Sequence, residues 1–540
     1  VSEQEKPSRS LAKIAGIVAV ATLVSKAFGL VRQQAIAAVF GVGVAYEAYN
    51  FAYVIPGFLL VLLGGINGPF HSAIVSVLAK RKREEAAPLV ETISTLVTGG
   101  LLLVTIALML FAEPLLELVA PGLGRTAEGL QIRSIAVQQF RIMAPMALLA
   151  GLIGIGFGTL NASNQYWLPS ISPLFSSITM LIGLGLLVTV QNGKFNDSKY
   201  ALIGGLVLAY GTLSGAILQW LVQVPAQWQS GMGSLRLRFD IQQPGVQEIL
   251  KVMGPATFSS GMMQINVYTD LFFASFIPPA ASVLGYAGLL VQTPLGIISN
   301  VILVPLLPML SRLADPNDWD ELKLRIRQGL IMTALTMLPL SAVMVTLAGP
   351  IVRVVYERGA FKQTASTLVT SVLIAYASGM FAYLGRDVLV RVFYALGDGD
   401  TPFRVSVVNI FLNAVMDYVF IFIIPLGAPG LVFSTVTVNV TSMIVLLVLL
   451  DRKINGLPWR EWSGPFIGLL LGSAVAGGTS WGVLRLGQSI LGTEGLMVQF
   501  LQLCVAGLAG LGAFALIATQ LRLPEVDLFT DRLRQRFTRR

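Results

Sequence analysis

Residues 167–190 read WLPSISPLFSSITMLIGLGLLVTV, twenty-four residues without a charged side chain, and residues 428–450, APGLVFSTVTVNVTSMIVLLVLL, are equally free of charge. An α-helix rises about 1.5 Å per residue and the hydrocarbon core of a bilayer is about 30 Å thick, so either run is long enough to cross it. Comparable runs recur from one end of the chain to the other. They lie at 14-41, 46-79, 89-113, 133-160, 167-190, 200-224, 247-276, 281-310, 328-350, 367-396, 403-425, 428-450, 464-486 and 495-520, separated by short polar or Gly/Pro-marked breaks. The expected fold class is an all-α polytopic membrane protein with about 14 transmembrane helices.

Composition agrees. Hydrophobic residues make up 55% of the 540 and charged residues only 12%, against roughly a quarter charged in a soluble domain. The formal charge of +9 comes from Lys and Arg in the breaks between spans, not along one soluble face, so it reads as a topology signal and contact with anionic membrane lipids; nucleic acid is not an expected partner. One cysteine, Cys504, and one histidine, His71, cannot assemble a His/Cys metal cluster. No Walker-type phosphate loop, nucleophile elbow or HExxH motif occurs in a loop long enough to hold it. The chain thus reads as a transporter and not an enzyme, with uphill movement driven by an ion gradient, the membrane potential or consumption of the product. The stretch Val1 to Arg9 lacks the apolar core and cleavage site of a signal peptide, so the first span is expected to stay in the mature protein.

With an even number of spans both termini face the same side. If the N-terminus (Lys6, Arg9, Lys13) is cytoplasmic, the inner loops carry Lys80-Arg81-Lys82-Arg83, Arg236 with Arg238, Arg312 through Arg327, Arg404, Arg452-Lys453 and the tail Arg532 to Arg540, as the positive-inside rule requires. The stretch Arg353 to Lys362 is the exception, falling outside. An internal repeat sharpens the organisation. Pro56-Gly57 leading to Ser76 returns as Pro294 and Gly296 leading to Ser311, and Leu160-Asn161-Ala162 with Pro169 returns as Leu396-Gly397-Asp398 with Pro402, all at a spacing of about 235 residues. A duplicated unit of six spans gives two pseudo-symmetric lobes in the same orientation, with a path between them and access that alternates by rocking. The expected divisions are a cytoplasmic N-terminus at 1-13, lobes at 14-228 and 247-450, two extra helices at 464-520 and a basic cytoplasmic tail at 521-540.

An ionisable residue inside a span costs at least about 2.5 kcal/mol on insertion scales, which makes each a functional candidate. At about 100° per residue, Ser25, Gly29 and Arg32 form one stripe of the first span and Lys26 with Gln33 the stripe beside it. Arg141, Arg386 and Arg391 lie in the two spans that the repeat makes equivalent. A cavity lined by these cations suits an anionic group such as a phosphate or pyrophosphate; the competing structural reading is snorkelling to an interface or pairing with Glu47 or Asp387. A second set is oxygen-rich. Asp270 lies inside the seventh span, Asn413 and Asp417 sit four apart in the eleventh on a shared face, and Thr435 follows in the twelfth. Oxygen ligands of this kind suit a small hard cation, and a buried carboxylate suits a proton; the competing reading is hydrogen bonding between packed helices. No cofactor beyond such a coupling ion is expected.

Ser25-Lys26-x-x-Gly29-x-x-Arg32, Glu47 ahead of Pro56, Leu160-Asn161-Ala162 with Pro169, Glu357-Arg358-Gly359-Ala360-Phe361, and Val390-Arg391-x-Phe393-Tyr394-Ala395-Leu396-Gly397-Asp398 with Thr401-Pro402 together resemble the MurJ/MviN-type lipid II flippases of the multidrug/oligosaccharidyl-lipid/polysaccharide exporter superfamily. The resemblance runs over nearly the whole chain. It implies fourteen helices in two lobes, a cationic central cavity formed by Ser25, Lys26, Arg32, Glu47, Arg141, Arg386 and Arg391, and a groove near the last two helices for a polyprenyl tail. It further implies export of the undecaprenyl-pyrophosphate-linked peptidoglycan precursor across a bacterial cytoplasmic (inner) membrane, with cell-wall synthesis proteins as partners. Coupling to sodium or the membrane potential would fall at Asp270, Asn413, Asp417 and Thr435. The chain departs from the family where a cavity arginine is Lys26, where second-span arginines are Leu60 and Val61, where a basic position of the eighth span is Leu289, and where a second-span glutamate is replaced within Gly64-Gly65-Ile66-Asn67. Arg141, Arg386 or Arg391 compensate, or the substrate differs. Three alternatives therefore stand beside the leading reading: a flippase for another polyprenyl-linked glycan, a cation-coupled multidrug antiporter, which the basic first span disfavours, and a non-transporting cell-wall scaffold.

Overall fold

A computed structural model describes residues 6–65, 68–78, 81, 83–191, 200–262 and 265–526. Among these residues there are helices and connections but no β-strand. In chain order the helices are α1 (Lys6–Phe40), α2 (Val44–Gly64), α3 (Pro69–Leu78), α4 (Arg83–Leu110), α5 (Ala112–Val119), α6 (Ala127–Met143), α7 (Met146–Ala162), α8 (Trp167–Ile171), α9 (Pro173–Gln191), α10 (Ala201–Gln229), α11 (Pro244–Met262) and α12 (Ile265–Ala274). They continue as α13 (Ala280–Ser311), α14 (Trp319–Thr346), α15 (Ala348–Tyr356), α16 (Gln363–Ser378), α17 (Met380–Ala395), α18 (Asp400–Tyr418), α19 (Ala428–Lys453), α20 (Trp459–Leu491) and α21 (Leu496–Gln520). The basic tail beyond residue 526, Lys80 and Lys82 of the inner-loop cluster, and Ile66 with Asn67 lie outside the described residues.

Among the described residues eleven helical runs are long and apolar enough to cross a membrane, and α6 with α7, bent by 40° at their junction, makes a twelfth. The bend falls at Pro145, which has no N–H to continue the ladder. Helix α1 and the α11–α12 pair occupy the segments expected for the first and seventh spans. The protein is a multi-pass membrane protein.

The chain forms two compact units, Val1–Ser282 with Arg358–Phe361, and Val283–Glu357 with Lys362–Arg540. In the first, α7 is the hub: it packs against α2, α3, α4 and α10, and most of its side chains are buried. Glycine makes this possible. A Cβ on Gly154 would sit 2.0 Å from the Leu63 carbonyl oxygen, so α2 and α7 touch backbone to backbone, the contact on which helix packing without a hydrophobic drive relies. Helix α11, assigned by the repeat to the second lobe, packs on α3, and α12 packs against α5.

The Arg358–Phe361 turn belongs with the first unit because its backbone docks on the end of α1. The Ala360 N–H donates to the Ala38 carbonyl at 2.8 Å, and Gly359 adopts φ +57° with its Cα facing that same carbonyl, where a Cβ would come within 2.3 Å. Only glycine fits such a left-handed, close-packed position. In the second unit α14 packs on α16, α17 and α20, α20 pairs with α21, and α19 packs on α16, α17 and α18. The two C-terminal helices contribute Leu469, Ala476, Ala506 and Phe514 to a buried cluster that they share with Ile331 and Ala334 of α14.

Candidate functional site

Along α1 it is the second stripe that divides, with Gln33 buried. Ser25, Gly29 and Arg32 are half-buried, whereas Lys26 is exposed. The Arg32 Nε is shut off from solvent and has no hydrogen-bond acceptor. Its charge is felt by three tyrosines on α2, Tyr46, Tyr49 and Tyr53. These rings form a ladder, with centroids 6.1 Å apart between Tyr46 and Tyr49 and 5.4 Å between Tyr49 and Tyr53, nearly parallel in both pairs. Gln33 Nε2 donates to the Tyr46 hydroxyl at 2.5 Å and the Tyr49 hydroxyl lies 2.9 Å from Thr212 Oγ1. The sequence reading missed this ladder. Its signal was present in the spacing of three and four residues, which places all three rings on one helix face, but such a stripe is read by default as packing.

Glu47 is 2% exposed and both carboxylate oxygens are engaged, accepting from the Ala281 N–H at 3.0 Å and the Ser282 N–H at 2.7 Å. Those are orphan donors at the N-terminus of α13, where a negative charge is favoured. The carboxylate is therefore a helix cap and not an open ligand-binding group.

The three arginines paired by the repeat are placed differently. Arg141 is exposed in the last turn of α6, where its charge complements the helix dipole. Arg386 is half-buried on α17, donating to Ser442 of α19 and Ser406 of α18, each at 3.3 Å, with Asp387 3.9 Å away. It ties three helices of the second unit together. Arg391, one turn further along α17, is half-buried.

The oxygen-rich set divides too. Asn413 and Asp417 are 1% and 0% exposed, and Asn413 Nδ2 donates to Asp417 Oδ2 at 3.0 Å. Ser434 donates to the Asn413 carbonyl at 3.4 Å, which brings the turn of α19 that carries Thr435 against α18. One carboxylate among amide and hydroxyl oxygens can hold a hard monovalent cation or a proton. Among the described residues no group of three or more His, Cys, Asp or Glu side chains is placed to hold a metal ion. Asp270 is half-buried on α12 of the first unit.

At two positions where the resemblance implies cations, Leu60 packs on the apolar cluster around Leu62, Leu63 and Phe70, while Val61 is 65% exposed. The signature motifs end helices. Asn161 closes α7 and shares a 2.7 Å hydrogen bond with His71, the sole histidine. Asp398 follows α17, accepting from the Thr401 N–H at 3.0 Å, the Thr401 hydroxyl at 2.8 Å and Lys453 at 2.8 Å. Burial works against its charge, but the Lys453 hydrogen bond, the two from Thr401 and the ammonium charge prevail and hold the carboxyl down at about 2.

The family model described as "Lipid II flippase MurJ" matches residues 36–500. The chain belongs to the MurJ lipid II flippase family. A protein of Synechocystis described as "Probable lipid II flippase MurJ" is 57% identical over 542 residues, covering 100% of both chains. The "Lipid II flippase MurJ" of Burkholderia cenocepacia is 26% identical over 482 residues, 87% of this chain and 89% of its own. Among solved structures, that of a lipid II flippase MurJ in an inward closed conformation superposes with a TM-score of 0.72 at 23% identity, covering 94% of this chain and 99% of that one. An inward-facing multidrug resistance transporter of the MATE family gives 0.57 at 15% identity, covering 80% and 94%. Both likenesses are of fold.

Proposed function

We propose that this MurJ-family protein moves lipid II, the undecaprenyl-pyrophosphate-linked peptidoglycan precursor, from the inner to the outer leaflet of a bacterial cytoplasmic membrane. The observation that carries the reading is full-length family membership at 57% identity to a relative so described, to which the structure adds a half-buried arginine, Arg32, on a membrane helix without an acceptor for its Nε. A guanidinium in a low-dielectric setting is the group that a pyrophosphate would engage, by charge and by paired N–H donors. Lys26, exposed nearly two turns earlier, adds a second positive charge. In this reading both termini are cytoplasmic, the two units alternate access, and an ion gradient or the membrane potential drives the cycle, with Asp417, Asn413 and Thr435, and separately Asp270, as the candidate residues for sodium or a proton.

The test is rescue. In a bacterium depleted of its resident lipid II flippase, this protein restores lipid II on the outer leaflet, and Lys26→Ala with Arg32→Ala abolishes the restoration at equal membrane abundance. No restoration by a correctly inserted protein overturns the reading. The apolar Leu60, Val61 and Leu289, at positions where the family resemblance implies cations, favour one second reading, a flippase for another polyprenyl-linked glycan. That reading predicts rescue of a different lipid-linked sugar and none of lipid II.

A further inference from the structure

Residues 230–243 join α10 to α11 without a helix and read SGMGSLRLRFDIQQ. Their backbone is laid against α4. Gly233, at φ +106°, brings the chain onto that helix, where a Cβ would come within 3.3 Å of the Ala87 carbonyl oxygen. The Ser234 N–H and hydroxyl donate to Glu91 Oε1 at 3.0 and 2.6 Å, and the Arg238 N–H donates to Thr95 Oγ1 at 3.1 Å. Arg238 Nη1 lies 4.0 Å from Glu91 Oε2, so the buried carboxylate has a counter-charge. The apolar side chains of the run are not used in this docking: Leu235, Leu237, Phe239 and Ile241 are 60%, 80%, 71% and 52% exposed. Arg236 between them is exposed as well, as is Asp240, where the chain turns toward α11. Four large apolar side chains exposed in one short run form a patch that marks an interaction surface.

We propose that this segment is a membrane anchor: Leu235, Leu237, Phe239 and Ile241 enter the acyl layer of the leaflet beside α4, and Arg236 binds phospholipid phosphate. Depth supports a lipid occupant. The α4 span, Glu85–Leu110, has 26 residues and is therefore about 39 Å long, against about 30 Å of hydrocarbon. Its first residues thus lie among headgroups, and Glu91 and Thr95 follow about 9 and 15 Å along it. That is the boundary with the acyl chains, where an amphipathic segment buries its apolar side about 5–10 Å deep. Position supports it too. The half of α4 that carries the anchors is covered by protein, with Leu89, Val90, Ile93 and Val97 buried, whereas further along Leu103 and Leu110 are each 70% exposed. The segment lies over the covered half, so its outward side chains take the lipid-facing place that α4 itself holds beyond. A guanidinium on a long apolar stem reaches the headgroup layer from there. The inference needs only that the chain is embedded in a bilayer, so it stands whatever the transported glycan is.

The experiment is spin labelling of the full-length protein in vesicles of phosphatidylethanolamine and phosphatidylglycerol. In a Cys504→Ser background, Leu237→Cys and Phe239→Cys each carry a nitroxide whose collisions with oxygen, which concentrates among acyl chains, are compared with those of a water-soluble nickel chelate. Both labels are expected to favour oxygen at least fivefold, whatever the protein-to-lipid ratio. Arg236→Glu, which sets a carboxylate against the phosphates, reduces that preference at least twofold at the Phe239 position, while Arg236→Lys keeps it. Should a cysteine variant fail to fold, Leu235→Cys or Ile241→Cys serves in its place. Labels more open to nickel than to oxygen would overturn the proposal. Labels shielded from both would overturn it in favour of a protein occupant, a second copy of this chain or a partner, and equal responses to Arg236→Glu and Arg236→Lys would overturn the phosphate contact.

Discussion

Asp398 shows how much a signature residue can do without touching a substrate. It caps the start of α18 through Thr401 and holds Lys453 at the end of α19. Replacing it with alanine is expected to lower stability by about 1–2 kcal/mol, in line with the loss of a helix cap, read as a lower unfolding midpoint in detergent. Because the folded carboxyl titrates near 2, below its usual 3.8, the stabilisation is present in full above the unfolded value and is lost only as pH falls through the folded one. The difference between wild type and Asp398→Ala should therefore be constant from pH 8 to pH 5 and shrink below about pH 4. Glu47 illustrates the opposite lesson. The resemblance places it in the cavity lining, but a buried carboxylate can also be satisfied by backbone donors, and those come from residues 281 and 282. No local pattern around Glu47 names partners so distant. Glu47→Ala leaves two buried N–H groups without an acceptor and is expected to cost about 3 kcal/mol, while Glu47→Gln, which keeps one acceptor, loses less in the same unfolding measurement.

At the scale of the element, the long apolar runs announced the helices, and the glycines within them announced close packing, but not which glycines. Gly154 is where α7 meets α2, with the Leu63 carbonyl 2.0 Å from a would-be Cβ, whereas Gly185 on α9 has nothing within 4 Å. Gly154→Ala is expected to force the two backbones apart at about 2–3 kcal/mol, and Gly185→Ala to be neutral or to stabilise by up to about 1 kcal/mol through helix propensity. Membrane abundance and unfolding midpoints of the two variants check the contrast; equal effects would mean that the α2–α7 contact does not matter. The tyrosine ladder on α2 belongs to this scale as well. Spacing put Tyr46, Tyr49 and Tyr53 on one face, yet only the packing of α1 on α2 brings that face within range of the Arg32 charge.

For the whole molecule, the question is what drives transport. The Asn413–Asp417 pair is buried within a membrane span, a placement that is expensive unless it serves a purpose. Asp417→Asn is expected to leave insertion intact and to remove the dependence of lipid export on a sodium or proton gradient, measured in vesicles with imposed gradients. Retained dependence would assign the pair to helix packing alone. The fold was legible because a bilayer imposes length and apolarity on every span, so spans are visible one at a time. The candidate site was legible only in part: a charge in a span flags itself, as Lys26, Arg32 and Asp417 do, but its partner does not. Arg386 was flagged by the same logic and is engaged by Ser406 and Ser442 across two neighbouring helices.

By itself the sequence determined that this is a helical membrane protein, where most of its spans lie and, through its motifs, the family to which it belongs. These are properties of single segments, set by local hydropathy and by residue identity at fixed spacing. The tertiary structure alone decided which intramembrane charges are satisfied from within and which are left open. Glu47 caps a helix that begins more than 230 residues later, Arg386 bridges α18 and α19, and the Nε of Arg32 remains without an acceptor. The physical reason is that a charge in an apolar medium is governed by whatever lies within a few ångströms of it, and those neighbours come from segments distant in the chain.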